Sequence, residues 1–179
     1  QAQLRLGQLL MREGASTLLF IPLAHVFARI IQFAVLDAAT VLGYARSVQH
    51  LSEDLQSFKP TFLLAVPRVF EKVFNTARSK ATGVKAKIFE AAVDTAIEYA
   101  KADSPSVVTK AKRALFDRLV YSKLRAAMGG NLRHCISGGA PLAPHLAYFF
   151  DAVGVQVLEG YGLTETSAAS AVNTPEWNK

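Results

Sequence analysis

The feature that most restricts what this chain can fold into is a regular alternation of two hydrophobic periods. Short apolar runs, Thr17–Ile21, Thr40–Tyr44, Thr61–Val66, Arg133–Ser137 and Val155–Leu158, are each bounded by glycine, proline or a polar turn. Between them stand stretches with helical spacing: Val26–Leu36, Val48–Phe58, Arg68–Ser79 and Ala143–Val153. Strands apolar on both faces belong in a sheet covered on both sides, and parallel neighbours need a crossover to connect them. The pattern predicts an α/β fold: a parallel sheet of about five strands, helices on both faces and right-handed crossovers. From about residue 75 to residue 130 only helical pattern is present. Val84–Ala100 is amphipathic, with Lys85, Lys87, Glu90, Asp94 and Glu98 on its wet side. A second helix is predicted to start at Ser104-Pro105, with Ser104 as N-cap, and to stop at Gly129-Gly130. This interval is expected to be a helical hairpin inserted between two strands.

Composition matters at one point. The chain is 51% hydrophobic and 19% charged, which fits either a membrane segment or a core piece lacking the partners that cover it. Leu18–Leu36 would score as a spanning helix, but Pro22 interrupts it and His25, Arg29 and Gln32 share one helical face. A central arginine costs about 2.5–3.5 kcal/mol even on the lenient insertion scale, so a buried strand followed by a helix is the better reading. Gln1–Gly14 carries charges of both signs and no apolar core, so no N-terminal signal is expected. The single cysteine, Cys135, excludes an intramolecular disulfide and a multi-thiolate metal site, and is expected to be a packed thiol in a cytoplasmic protein. Lys110, Lys112, Arg113, Arg118, Lys123, Arg125 and Arg133 stand against Asp117 alone and account for the whole net charge of +6. That run is a solvated helix face, or else attracts a phosphate-bearing substrate or the anionic inner face of a membrane. Nucleic acid is not indicated, because no binding module and no interleaved aromatics accompany the cations.

Ligands of open parallel sheets bind beyond the carboxyl ends of the strands, so the residues after each run are informative. They are Pro22-Leu23-Ala24-His25, Pro67-Arg68-Val69-Phe70-Glu71, Ser137-Gly138-Gly139-Ala140-Pro141-Leu142, and the stretch from Glu159 to Ser167. Gly138-Gly139 either makes a tight strand-to-helix turn or lets backbone approach a planar ligand, with Pro141 and Pro144 suiting a helix start beyond. Tyr161, between two glycines, offers a stacking face; Thr164, Thr166 and Ser167 supply hydroxyls; Glu165 supplies the hard oxygen that Mg²⁺ prefers. The stretch is either a capped polar turn or a Mg·nucleotide site. Arg68 is expected to pair with Glu71 or Asp37 structurally, and His50, His134 and His145 lack metal-ligand spacing.

Tyr161-Gly162-Leu163-Thr164-Glu165-Thr166 closely resembles the YGxTE signature of the adenylate-forming superfamily, which includes acyl-CoA synthetases, firefly-type luciferases and peptide-synthetase adenylation domains. Ser137–Leu142 is similar to that family's adenine-side loop, and Pro22–Phe27 looks like its acid-pocket motif. Val66–Lys72, Phe116–Val120 and the long helical insert resemble the bacterial long-chain fatty acid CoA ligase branch. The resemblance implies that Gly138, Gly139, Ala140 and Pro141 form the adenine loop, that Tyr161 stacks on the ring and that Gly162 is a nucleotide-binding position. It places Glu159 and Gly160 beside the nucleotide, Thr164 at the α-phosphate and Glu165 on Mg²⁺. His25 would flank the fatty acid carboxylate, and Arg29 would occupy a gating position of the acyl tunnel. The implied reaction joins fatty acid and ATP to acyl-AMP and pyrophosphate, after which CoA displaces AMP. Rival readings are a fatty acyl-AMP ligase without the CoA step and a non-catalytic nucleotide- or acyl-binding module. The family's phosphate-gripping loop, ribose-binding aspartate and C-terminal domain have no counterpart in residues 1–179. The chain is therefore expected to be a central piece of a larger adenylate-forming domain, inactive without the remainder of its own polypeptide.

Overall fold

The structure is a computed structural model that describes residues 14–174; the reading of Gln1–Gly14 as free of a signal lies, but for Gly14, outside those residues. Among the described residues the strands are β1 (Ser16–Leu19), β2 (Val41–Tyr44), β3 (Phe62–Ala65), β4 (His134–Gly138), β5 (Gln156–Leu163) and β6 (Ala168–Val172). They form one sheet in the order β2-β1-β3-β4-β5-β6. The first five are parallel, as the pattern predicts. The sixth, which the pattern did not predict, is antiparallel to β5.

The helices are α1 (Val26–Asp37), α2 (Leu51–Phe58), α3 (Pro67–Lys80), α4 (Val84–Lys101), α5 (Val107–Phe116), α6 (Ser122–Ala127) and α7 (Pro144–Val153). Alternation along the strands sorts the core into two layers. Leu18, Leu63, Ala65, Cys135 and Val157 face a cluster built with α2, α3, α4, α6 and α7. Leu19, Phe62, Leu64, Ile136 and Leu158 face the other way, against Ala28, Ile31, Ala34 and Val35 of α1. Cys135 is a fully buried thiol whose pKa burial pushes far up, so it is a packing group. No helix among the described residues is long and apolar enough to cross a membrane.

α4 packs on α5 and α7, and a five-residue π-helical turn, Asp117–Tyr121, joins α5 to α6. The cap of α5 is not Ser104: Ser106 accepts a hydrogen bond from the Thr109 N–H at 3.1 Å, so the helix starts two residues later. The hydroxyl–hydroxyl contact of Ser106 with Thr109 (2.9 Å) and the Thr109 bond to Glu98 (2.7 Å) hold that start against α4. The Tyr121 hydroxyl donates to the Ala92 carbonyl at 2.6 Å, and burial pushes its pKa up to about 12. Two residues past the end of α6, Gly129 (φ +97°) is placed so that a Cβ would lie 2.4 Å from the Leu55 carbonyl oxygen; only glycine lets this turn and α2 meet so closely.

The basic run is not simply a solvated face. Arg113 donates to the Ala152 carbonyl (2.9 Å) and lies 4.7 Å from the Tyr99 ring centroid, while Arg125 pairs with Asp117 (2.6 Å) and donates to the Val153 carbonyl (2.7 Å). Two of the seven cations therefore tie the insert to the end of α7. Nor does Arg68 pair with Glu71 or Asp37: its ion-pair distance is met by neither carboxylate. Hydrogen bonds from Arg125 hold the Asp117 carboxyl below its ordinary range, with burial opposing them. A carboxylate with a depressed pKa stabilises the fold above its unfolded pKa of about 3.9 and loses that contribution as pH falls through the folded value. Asp117→Asn is expected to cost about 1 kcal/mol at neutral pH, the pair being partly solvent-exposed. Urea titrations at pH 7 and pH 3 should show the gap between wild type and variant closing in acid; a constant gap would exclude the ion pair as its cause.

Candidate active site

β1 and β3 are sheet neighbours, although β2 separates them in the chain. Strand order reverses there, and the loops that leave the carboxyl ends on either side diverge to leave a crevice. A cavity of about 340 Å³ occupies that edge. Ile21, Val26, Phe27, Val66 and Ile136 are among its apolar residues; His25, Gly138, Gly139, Gly160, Tyr161, Gly162, Thr164 and Glu165 also line it. Residues from four separate loops thus meet in one concavity of ligand-binding size.

Each wall has a local cause. The His25 N–H closes a turn on the Pro22 carbonyl at 2.9 Å, and His25 then caps α1 by accepting the Phe27 N–H on Nδ1 at 3.2 Å. With Nδ1 an acceptor, the neutral ring carries its proton on Nε2, which can donate to an oxyanion. Arg29 Nε donates to the Leu23 carbonyl at 2.9 Å and clamps the same turn from the next helical turn. Arg29 does not line the cavity; its guanidinium is committed to the loop that carries His25.

On the opposite wall, Gly138 pairs with Gly160 across β4 and β5. A Cβ on Gly138 would come within 3.4 Å of the Gly160 carbonyl oxygen, and Gly139 sits at φ +86°. The two glycines therefore expose a ledge of bare backbone beside the cavity. Ala140 and Pro141 lie on the exposed surface beyond it and do not line it. Glu159 also stays out of the lining: its Oε1 accepts the Leu142 N–H at 2.8 Å and ties the glycine loop to β5.

Tyr161 to Leu163, read from sequence as loop, are the end of β5, because β6 supplies the pairing that the glycines alone would not sustain. Tyr161 opposes Ala171 and remains 67% exposed. The hairpin turns through residues 164–167, with Ser167 at φ +59°. Thr166 Oγ1 accepts the Leu163 N–H at 3.1 Å and donates to the Leu163 carbonyl at 3.0 Å, and neither Thr166 nor Ser167 lines the cavity. Of the hydroxyls read as facing phosphate, only Thr164 does line it. Ala169 and Val172 of β6 complete the wall; an Ala/Ser-rich run has weak strand propensity, so sequence gave little sign of them.

No group of three or more His, Cys, Asp or Glu converges among the described residues. A dedicated metal cage is not what this edge offers. Glu165 supplies a single exposed carboxylate oxygen donor in the cavity, which suits Mg²⁺ that arrives with phosphates and water as its other ligands.

A sequence profile of the family described as AMP-binding enzyme matches residues 2–179. The chain belongs to this family. It is 46% identical over 168 residues to the long-chain-fatty-acid–CoA ligase FadD15 of Mycobacterium bovis, a match covering 92% of this chain and 28% of the relative. The long chain acyl-CoA synthetase 4 of Arabidopsis thaliana is 38% identical over 162 residues, covering 88% of this chain and 24% of the relative. The chain therefore spans about a quarter of the length of these relatives. Among solved AMP-binding folds, a long-chain-fatty-acid–CoA ligase from Archaeoglobus fulgidus superimposes with a TM-score of 0.60 at 14% identity, over 98% of this chain and 28% of that one. The O-succinylbenzoate coenzyme A synthetase of Bacillus subtilis, solved with ATP and magnesium, gives 0.60 at 14% identity, over 98% of this chain and 27% of that one. These structural likenesses show the fold; the AMP-binding family is shown by the profile.

Proposed function

We propose that the chain is the acid- and nucleotide-facing part of an ATP-dependent long-chain fatty acid CoA ligase. The observation that carries this is the convergence of His25, the Gly138-Gly139 ledge, Tyr161, Thr164 and Glu165 on one cavity with an apolar side, in a member of the AMP-binding family. The named function of the 46% identical relative supports the same reading.

In the proposed reaction a fatty carboxylate oxygen attacks the α-phosphorus of ATP, the bond to pyrophosphate breaks, and acyl-AMP forms. The CoA thiol then attacks the acyl carbonyl, releases AMP and leaves a thioester. The residues of this chain act by binding and orientation. The bare backbone of Gly138 and Gly139 admits the adenine, with the exposed Tyr161 ring as its stacking face; such stacking contributes about 1–3 kcal/mol. Thr164 donates to an α-phosphate oxygen, and the Nε2–H of His25 orients the incoming carboxylate. Phe27, Val26 and Ile21 receive the first part of the acyl chain and exclude water from the reacting oxygen. Mg²⁺ beside Glu165 would neutralise phosphate charge as it builds up. The remainder of the polypeptide would supply the phosphate-gripping loop and the C-terminal domain. Cytoplasmic location with peripheral contact to the inner membrane face belongs to the same proposal, on the exposed Lys110, Lys112 and Arg118.

The test is acid-dependent ATP–pyrophosphate exchange by the intact polypeptide, followed by addition of CoA. Exchange with long-chain acids and thioester on adding CoA are expected. Adenylate that never becomes thioester would identify an acyl-AMP ligase, and nucleotide binding without exchange would leave only the binding-module reading.

A further inference from the structure

The pairing of β5 with β6 is irregular at one point. Gly160 opposes Val172 and Tyr161 opposes Ala171, but Gly162 opposes Ala169, so Ser170 is an extra residue with no partner on β5. This is a β-bulge, an insertion that bends a strand and re-aims its side chains. Its consequence here is one of parity. Ala169 and Val172 are three positions apart and would face opposite ways in a regular strand. With Ser170 unpaired, each opposes a glycine and both line the sheet-edge cavity. Val172 covers its glycine closely: a Cβ on Gly160 would lie 3.6 Å from Val172 Cγ2.

The bulge is tied to the turn. Ser170 Oγ donates to Thr166 Oγ1 at 2.9 Å, while Thr166 Oγ1 also accepts the Leu163 N–H at 3.1 Å and donates to the Leu163 carbonyl at 3.0 Å. Those bonds use the donor and both lone pairs of the hydroxyl. Thr166 thereby joins Leu163, the last residue of β5, to the bulge on β6. Between the two lies the turn that carries Thr164 and Glu165. The side chains of Thr164 and Glu165 have no hydrogen bond or ion pair of their own among the described residues. Their aim is therefore set by the backbone arc, and Thr166 and Ser170 hold that arc at its two ends.

We propose that Ser170 is a positioning residue for the sheet-edge site: its bond to Thr166 pins the bulge and keeps Thr164 and Glu165 aimed at the phosphates and magnesium of the nucleotide. What Thr164 and Glu165 meet rests on the reaction proposed above; what Ser170 holds rests on the hairpin geometry alone. Ser170 does not line the cavity, so it acts through the arc and not by contact. Loss of the bond frees the bulge to migrate. A slip of one residue turns every side chain beyond it to the other face, which would take Val172 off the cavity wall.

The test compares Ser170→Ala, Ser170→Thr and Thr166→Val in the intact polypeptide. The first readout is deuterium uptake, without ligand, by the peptide spanning residues 160–172. The second is calorimetric affinity for ATP, with Mg²⁺ and with EDTA. Ser170→Ala is expected to speed uptake in that peptide and to weaken Mg·ATP binding about fivefold, the scale of one exposed hydrogen bond, with ATP in EDTA changed by less than about twofold. Ser170→Thr keeps the hydroxyl and should restore both values. Thr166→Val should lose more, because its bonds to Leu163 go too, and adding Ser170→Ala to it should cost nothing further. In acid-dependent pyrophosphate exchange, Ser170→Ala should raise the Mg²⁺ concentration for half-maximal rate and leave the KM for fatty acid unchanged. Wild-type deuterium uptake in Ser170→Ala would overturn the proposal, and so would additive losses in the double variant. Faster uptake with unaltered Mg·ATP affinity would overturn the positioning role and leave a hairpin staple. A wild type that binds Mg·ATP but catalyses no exchange would overturn the reaction reading and leave Ser170 in its role; one that binds no Mg·ATP would overturn both.

Discussion

Glu165→Ala in the intact polypeptide is expected to lower acid-dependent ATP–pyrophosphate exchange by at least about 10²–10³-fold, the scale for losing one preorganised charge-stabilising group. Glu165 is the acidic residue in the lining of the sheet-edge cavity and belongs to no ion pair among the described residues. Its removal should leave the fold intact, because it is an exposed turn residue. The hairpin is closed by Thr166 and by the Leu163 and Thr164 carbonyls, not by the carboxylate. The discriminating readouts are the Mg²⁺ concentration giving half-maximal exchange and the circular dichroism melt. Wild-type exchange in the variant would remove the metal assignment. A loss accompanied by a lower melting temperature would point to a broken hairpin instead.

The second large effect is on stability. Phe149→Ala should cost about 3–5 kcal/mol, the range for emptying a buried aromatic position. Phe149 is fully buried and lies edge-on to Phe74 at 5.0 Å, Phe150 at 5.5 Å and Tyr121 at 6.3 Å. These rings come from α3, α7 and the π-turn, so one cavity would loosen the joint between the helical insert and the sheet. A loss of that size is a large part of the roughly 5–15 kcal/mol that holds a domain folded. Tyr148→Ala is the control: Tyr148 is 37% exposed and meets Lys101 at 5.3 Å from its ring centroid, so about 1 kcal/mol or less is expected. Urea midpoints of the two variants decide the matter, and equal losses would contradict the packing described.

Much of the sheet was legible because strand and helix periods differ. Phe62–Ala65 is buried throughout, as a central parallel strand must be, and its sequence is an unbroken apolar run. β6 was not legible: Ala168–Val172 is small and polar enough to pass for loop, and becomes a strand because β5 offers it an open edge. The cap of α5 was misplaced because Ser104 and Ser106 are equivalent locally, and only contact with Glu98 through Thr109 selects the second. The basic run looked like a wet face because sequence cannot reveal that Arg113 and Arg125 reach back to carbonyls of α7.

The sequence by itself determined the α/β class, the strand that each loop leaves, and the residue types offered at the carboxyl edge. Those follow from local period and turn chemistry, which depend on neighbours within a few residues. The tertiary structure alone decided which of those residues share a cavity. It placed His25 and Thr164 in one concavity, withdrew Thr166 and Glu159 into bonds that hold the loops, and turned Arg29 onto the Leu23 carbonyl. His25 and Thr164 stand more than a hundred positions apart and meet in that concavity only because the crossovers bring their strands together, and no local pattern encodes that distance.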